Sequence, residues 1–234
     1  AVDHVIRVYF DDPDPDVAAS LERAIQAANA ALYAAAADGP ERGRGGTTLV
    51  AAVIQERGSA RRGVANVGDS RAYLLRGREL RQISRDHSWA AALQGAPAQG
   101  AARHVVTRAL GLRPEVKVDL FAHKLRAGDR ILLCTDGLTG PLPDAEIGAI
   151  ARRRQPQEAA RRLVEAANEQ GGPDNVSVIL VQVAGQPSAG AGAWRAAVER
   201  VWPSGVPAAA LIALAVLAMI LLMGLGFVLG RLLF

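Results

Sequence analysis

Short apolar runs bounded by glycine, aspartate and proline fill the middle of this chain, and longer stretches with helical spacing flank them. Residues 17–37 are alanine-rich and periodic, entered through Asp11-Asp12-Pro13-Asp14-Pro15-Asp16 and closed by Asp38-Gly39-Pro40. Carboxylates at that entry suit the positive end of a helix dipole, so the pattern predicts a helix. A glycine-rich loop at 43–46 leads to strands at 47–54 and up to Val67, joined by a turn at Arg57-Gly58-Ser59. A third run, 72–76, turns at Arg76-Gly77-Arg78 in the manner of a hairpin. Residues 86–110 read as helical with a break around 95–100. Strands follow at 116–123 and 130–134, joined at Ala127-Gly128-Asp129, then amphipathic helices at 143–154 and 157–169 and a closing strand at 176–183. Strands first, then helices, then one more strand indicate an α+β layered domain over 1–184 and not alternating βαβ units. No internal repeat is visible.

Past residue 184 the composition changes. Residues 185–205 are a Gly, Ala, Ser and Pro linker followed by an interfacial segment with Trp194, Arg195, Arg200 and Trp202. Residues 206–230 carry no charge. Roughly 25 residues at 1.5 Å rise give about 37 Å, enough to cross a hydrocarbon core of about 30 Å, so a transmembrane helix is expected there. Arg195 and Arg200 against Arg231 place the N-terminal domain on the cytoplasmic side of a cell membrane, as a single-pass protein. The Gly226 to Gly230 spacing lets two such helices pack closely, as a weak homodimer.

The net charge of +4 comes almost wholly from arginine, since lysine occurs only at Lys117 and Lys124. No nucleic-acid motif or aromatic interleaving accompanies it, which argues against a nucleic-acid partner. Arg152-Arg153-Arg154 and Arg161-Arg162 read as solvated helix faces. The lone Cys134 lies in an apolar run, where a thiol has a raised pKa and serves poorly as a nucleophile. The chain starts with Ala and shows no signal-peptide pattern, so its start is read as not native.

The candidate chemistry lies in two acidic turns. Ile131-Leu132-Leu133-Cys134 runs into Thr135-Asp136-Gly137, and Gly172-Pro173-Asp174-Asn175 opens onto the apolar run 176–181. Carboxylates at the rims of buried strands, converging, suit a hard cation that prefers oxygen ligands on rigid backbone. Two further patterns precede them, Gly45-Gly46-Thr47-Thr48 and Val67-Gly68-Asp69-Ser70-Arg71-Ala72-Tyr73. The four in this order closely resemble the metal-dependent serine/threonine protein phosphatases of type 2C (PPM), with compact bacterial members nearest in style. Arg126-Ala127-Gly128-Asp129-Arg130 and Thr107-Arg108-Ala109-Leu110-Gly111 also look like that family, and the likeness covers residues 1–183.

The resemblance implies a β-sandwich flanked by helices, four layers in the order αββα, with a two-metal site in a cleft at one edge. It implies Mn²⁺ or Mg²⁺ held by Asp136 and Asp174, an additional ion at Asp69, and metal-held water as the nucleophile, with no catalytic side chain. It implies phosphorylated proteins as partners, serine/threonine kinases and their substrates among them. His87 and His104 fall in segments beside the family's cleft and are read as structural, with a role as general acid the alternative for either.

One departure bears on activity. The family begins with a strand pair carrying a phosphate-binding arginine, then an Asp-Gly whose aspartate bridges both metals. Here residues 1–6 look like the helix after that turn, and Asp38-Gly39 belongs to a different loop. The expectation is an incomplete domain with negligible turnover by itself. Two readings follow: a membrane-tethered serine/threonine phosphatase, or a non-catalytic membrane-anchored pseudophosphatase that binds phosphoproteins or kinases. Asp69, Asp136 and Asp174 together favour the enzyme. No P-loop, nucleophile elbow or H-E-x-x-H helix supports another class.

Overall fold

The computed structural model describes residues 1–38, 46–54, 62–92 and 105–184. These lie in a compact unit spanning Ala1–Ala184; the second unit, Gly185–Phe234, is outside the described residues, and with it the expected linker, membrane span and homodimer contact. Gly45, Gly39 and His104 are outside as well. Among the described residues no helix is long and apolar enough to cross a membrane.

The elements run α1 (Val2–Asp11), α2 (Val17–Asp38), β1 (Leu49–Ile54), β2 (Arg62–Val67), β3 (Arg71–Arg76), β4 (Glu79–Gln82), α3 (Trp89–Ala92), β5 (Asp119–Ala122), β6 (Arg130–Cys134), α4 (Asp136–Thr139), α5 (Asp144–Arg153), α6 (Pro156–Glu169) and β7 (Val178–Gln182). They form two antiparallel sheets, β1-β2-β5 and β4-β3-β6-β7.

Period-two alternation explains how the layers stack. Along β3, Tyr73 and Leu75 face one core while Ala72 and Leu74 face another; along β6, Leu132 and Cys134 divide from Ile131 and Leu133 in the same way. The first core is closed by Ile147 and Ala151 of α5 and Leu163 and Ala167 of α6. The second lies between the sheets, where Val50, Ala52, Val64 and Phe121 meet Leu74 and Ile131. A third joins Ala65 and Val67 of β2 to Leu21, Ile25 and Ala28 of α2 and Val5 of α1. Helix pair, sheet, sheet and helix pair therefore each bury a face against the next, as expected for the α+β domain.

The acidic entry to α2 acts as foreseen: Asp16 Oδ1 accepts from the Ala18 amide at 2.9 Å, and Arg23 bridges Asp12 and Asp14. Two expectations need correction. Among the described residues of 86–110 only Trp89–Ala92 is helical, and 105–110 is irregular with isolated bridges at Val106 and Leu110. The backbone partners here are distant in sequence, with Trp89 N donating to Val105 O, Thr107 N to His87 O and Leu110 N to Thr47 O, so tertiary pairing displaces the local helical tendency. The strand expected over 116–123 is confined to Asp119–Ala122, because the Gln26 amide bonds both the N–H and the C=O of Val116.

The turn before β6 is held by a buried ion pair. Asp129, whose side chain is 3% exposed, accepts from Arg76 Nε at 2.9 Å, Arg76 NH2 at 2.7 Å and the Arg126 amide at 2.7 Å. The Arg76 bonds, opposed by burial and helped by the Arg126 amide, hold this carboxyl below its usual range. Stabilisation from a depressed carboxyl is present above the unfolded value, about 3.9, and is lost as pH falls through the folded one. Asp129→Asn is therefore expected to cost about 2 kcal/mol at pH 7. Urea titrations of both proteins should show the deficit shrinking as pH drops below about 4; a deficit that holds constant into the acid range would refute this account.

Candidate metal centre

Two acidic turns are locked together at one end of the β6–β7 pair. Thr135, just past β6, donates its hydroxyl to Asn175 O at 3.2 Å and accepts from the Ser177 amide at 3.0 Å, while its own amide reaches Ser177 O at 3.2 Å. These bonds also explain why β7 begins at Val178 and not at the expected 176. Asp136 opens the single turn α4, a helix absent from the sequence expectation. Gly137 follows, and a Cβ there would lie 2.4 Å from Asn175 O and 3.4 Å from the Asp174 carbonyl carbon. Only glycine lets the two turns approach this closely.

The Asp174 turn is aimed by the end of α6. Gly171 and Gly172 take positive φ, 103° and 52°, and the Gly172 amide bonds Ala167 O at 3.2 Å, so the chain leaves the helix sharply and returns towards β7. Asp174 itself is exposed and accepts from the Asn175 amide at 2.7 Å. It lies on a cavity of about 500 Å³ lined also by Val164, Asn168, Pro173 and Val176.

Asp69 sits on the three-residue connection that takes the chain from β2 in one sheet to β3 in the other. Gly68 before it has φ 111°, and a Cβ there would be 2.4 Å from Thr48 Cγ2. Thr48 in turn shares a 2.8 Å hydrogen bond with the Ser70 hydroxyl. The described part of the Gly-Gly-Thr-Thr motif is thus a floor for the Asp69 turn. Burial, then the negative charge of Asp136, raises the Asp69 carboxyl above its usual range.

The structure brings Asp136 beside the Asp174 turn by backbone contact and Asp136 near Asp69 by charge. It does not gather three acidic, histidine or cysteine side chains tightly enough to enclose an ion among the described residues. The chemistry of the donor set nonetheless fits a hard divalent cation. Asp86, Asp119 and Asp129 are each paired with an arginine, whereas Asp69, Asp136 and Asp174 form no ion pair among the described residues. Oxygen donors left without an ion-pair partner are the ligand type that Mg²⁺ and Mn²⁺ prefer.

The contacts of several neighbouring residues could not be read from the sequence. Arg71, adjacent to the acidic turn, is committed to Asp86 at 2.8 Å and to the Tyr73 hydroxyl at 3.0 Å, and that hydroxyl donates to Asp144 at 3.0 Å. Burial, which outweighs Arg71, raises the Tyr73 phenol well above its usual value. His87 is buried, as its structural reading implied, and its ring touches Gly68, Arg108 and Asp119. No local signal marked Asp119, a strand residue of ordinary pattern. Burial pushes the Cys134 thiol up to about 12, so it remains a protonated core side chain.

A two-sheet sandwich between helix pairs, with acidic turns at one end, is the class of domain that comparison with known proteins identifies. Residues 11–184 match the family described as Stage II sporulation protein E (SpoIIE). The chain belongs to this SpoIIE/type 2C (PPM) phosphatase family. It is 38% identical over 179 residues to the serine/threonine protein phosphatase PstP of Mycobacterium tuberculosis, a match covering 74% of this chain and 34% of that protein. It is 36% identical over 170 residues to the serine/threonine phosphatase stp of Listeria innocua, covering 69% of this chain and 66% of that one. The crystal structure of the PstP catalytic domain in complex with two manganese ions superposes with a TM-score of 0.69 at 38% identity, covering 78% of each chain. The chain thus spans about a third of the full mycobacterial relative.

Proposed function

We propose that this protein is a metal-dependent serine/threonine protein phosphatase that hydrolyses phosphoserine and phosphothreonine on proteins, with Mn²⁺ or Mg²⁺ as cofactor. The observation that carries the reading is the lock between the Asp136 and Asp174 turns, with Gly137 packed on Asn175 O and Thr135 bonded to Asn175 and Ser177. Asp136 and Asp174 hold a pair of cations and Asp69 an additional one. The chemistry such cations supply is activation of water for in-line attack on phosphorus and neutralisation of phosphoryl charge. The chain's own residues set the geometry: Thr135 fixes the distance between the two turns, and Thr48 supports the turn bearing Asp69. Arg71 is tied to Asp86 and Tyr73 and forms no ion pair with Asp69 among the described residues.

Kinases and their phosphorylated substrates are the partners this reading names. The uncharged stretch 206–230 supports a single-pass anchor in the cell membrane, with the phosphatase domain in the cytoplasm. The test is phosphate release from a phosphothreonine peptide by the protein purified from its native membrane, with Mn²⁺ and with chelator. Metal-dependent release that is lost in Asp136→Asn and Asp174→Asn supports the enzyme. The want of a three-ligand cluster among the described residues favours the second reading, a pseudophosphatase that binds phosphoproteins. Peptide binding without metal-dependent release would establish that reading instead.

A further inference from the structure

We propose that His87 is a positioning residue for Asp69, its imidazole holding the Gly68 amide while Asp119, itself anchored by Arg108, holds the imidazole. The link to metal binding rests on the reading of Asp69 as a cation ligand; the link to the Asp69 backbone does not. His87 grips Gly68 twice. Its main-chain amide donates to Gly68 O at 2.8 Å, and its ring Nδ1 accepts from the Gly68 amide at 3.0 Å. The Asn66 amide nitrogen adds a bond to Gly68 O at 3.2 Å and another to Arg85 O at 2.8 Å, leaving Asn66 Oδ1 buried without a partner among the described residues. Both backbone groups of the residue before Asp69 are therefore fixed by the 85–87 segment and by Asn66.

The ring can do this in one tautomer only. With Nδ1 accepting, the proton of the neutral imidazole sits on Nε2 and points at Asp119 Oδ2, 3.1 Å away. Arg108 Nη1 also lies 2.8 Å from Nε2, but a guanidinium has no lone pair to accept that proton, so it directs its own to Asp119 Oδ1 at 2.7 Å and Lys117 O at 3.1 Å and converges on the same carboxylate. Asp119 stands opposite Asn66 in the β2–β5 register, so its place is set by the sheet from which the Asp69 turn departs. A carboxylate that orients a histidine, which then orients a ligand-bearing turn, is the outer-shell arrangement that fixes metal sites. A histidine that only filled space would need neither the tautomer nor the Gly68 bond.

Two substitutions separate these roles on the full chain in detergent. In His87→Asn the side-chain oxygen falls near Nδ1 and keeps an acceptor for Gly68. In His87→Gln the terminal amide falls near Nε2, keeping the contact to Asp119 and giving up the acceptor. Hydrogen exchange at the Gly68 amide, read by NMR, should accelerate at least about tenfold in His87→Gln and stay slow in His87→Asn. Calorimetric Mn²⁺ titration, with Asp69→Asn marking the Asp69-dependent site, should show that site weakened about ten- to a hundredfold in His87→Gln and restored in His87→Asn. Equal exchange in all three proteins, or equal damage in both His87 variants, overturns the proposal. If exchange follows the expected pattern while Asp69→Asn binds Mn²⁺ like the parent, His87 still positions the turn and the metal role of Asp69 falls.

Discussion

Gly137→Ala is expected to lower both the thermal stability of the protein and its affinity for Mn²⁺. The added methyl would sit 2.4 Å from Asn175 O and 2.9 Å from its carbonyl carbon, and both are backbone atoms that no rotamer change can move aside. The turn bearing Asp174 must shift away, straining the Thr135 bonds to Asn175 and Ser177. Overpacking of this kind costs about 1–3 kcal/mol, or about 2–4 °C of melting temperature per kcal/mol in a domain this size. Gly128→Ala is the control. Gly128, unlike Gly137, has positive φ, at 86°, but a Cβ there meets nothing within 4 Å, so it should lose about 1 kcal/mol or less and keep its Mn²⁺ affinity. Thermal melts and calorimetric titration of both variants decide the matter. A Gly137→Ala protein with parental affinity would show that the spacing of the two turns does not set the cation site.

Asp136→Asn should produce the opposite signature, a binding defect without a folding defect. Asp136 makes no ion pair among the described residues, and its negative charge acts against the charged form of the half-buried Asp69. Removing that charge relieves repulsion, so without metal the variant should melt no lower than the parent. Losing a ligand should weaken Mn²⁺ binding at least about a hundredfold, beyond what outer-shell changes cost. Ligand-induced stabilisation follows the logarithm of concentration over Kd, so the upward shift of melting temperature with Mn²⁺ should disappear in the variant. A large loss of metal-free stability would mean that Asp136 is a structural turn residue.

Much of this was legible from residues alone, and the reason is local. Val17–Asp38 announced itself through Asp16 and a long alanine period, and the hairpin through Arg76-Gly77-Arg78. Asp136 and Asp174 stood out because each adjoins an apolar run and a glycine that the turn requires, although only β6 is buried; β7, at the sheet edge, buries Leu180 alone. The segment between Asp86 and Leu110 was misread because its backbone bonds go to Gly68, Val105 and Thr47, partners no local window contains. Asp119 escaped for the same reason. Its carboxylate matters through Arg108 and His87, which lie far from it along the chain's path though close in space.

The three candidate aspartates do not ride on the same part of the molecule. Asp136 and Asp174 belong to adjoining strands of one sheet and are stapled by Thr135, so any rigid sliding of the sheets carries them together. Asp69 lies on the connection crossing between sheets, over a core of Val64, Leu74 and Ile131. Its distance from the other two is therefore a gauge of sheet-to-sheet spacing. Trimming a side chain in that inner core would retune the Asp69 position while the Asp136–Asp174 pair kept its own separation, giving selection a dial on one cation that lies far from any ligand.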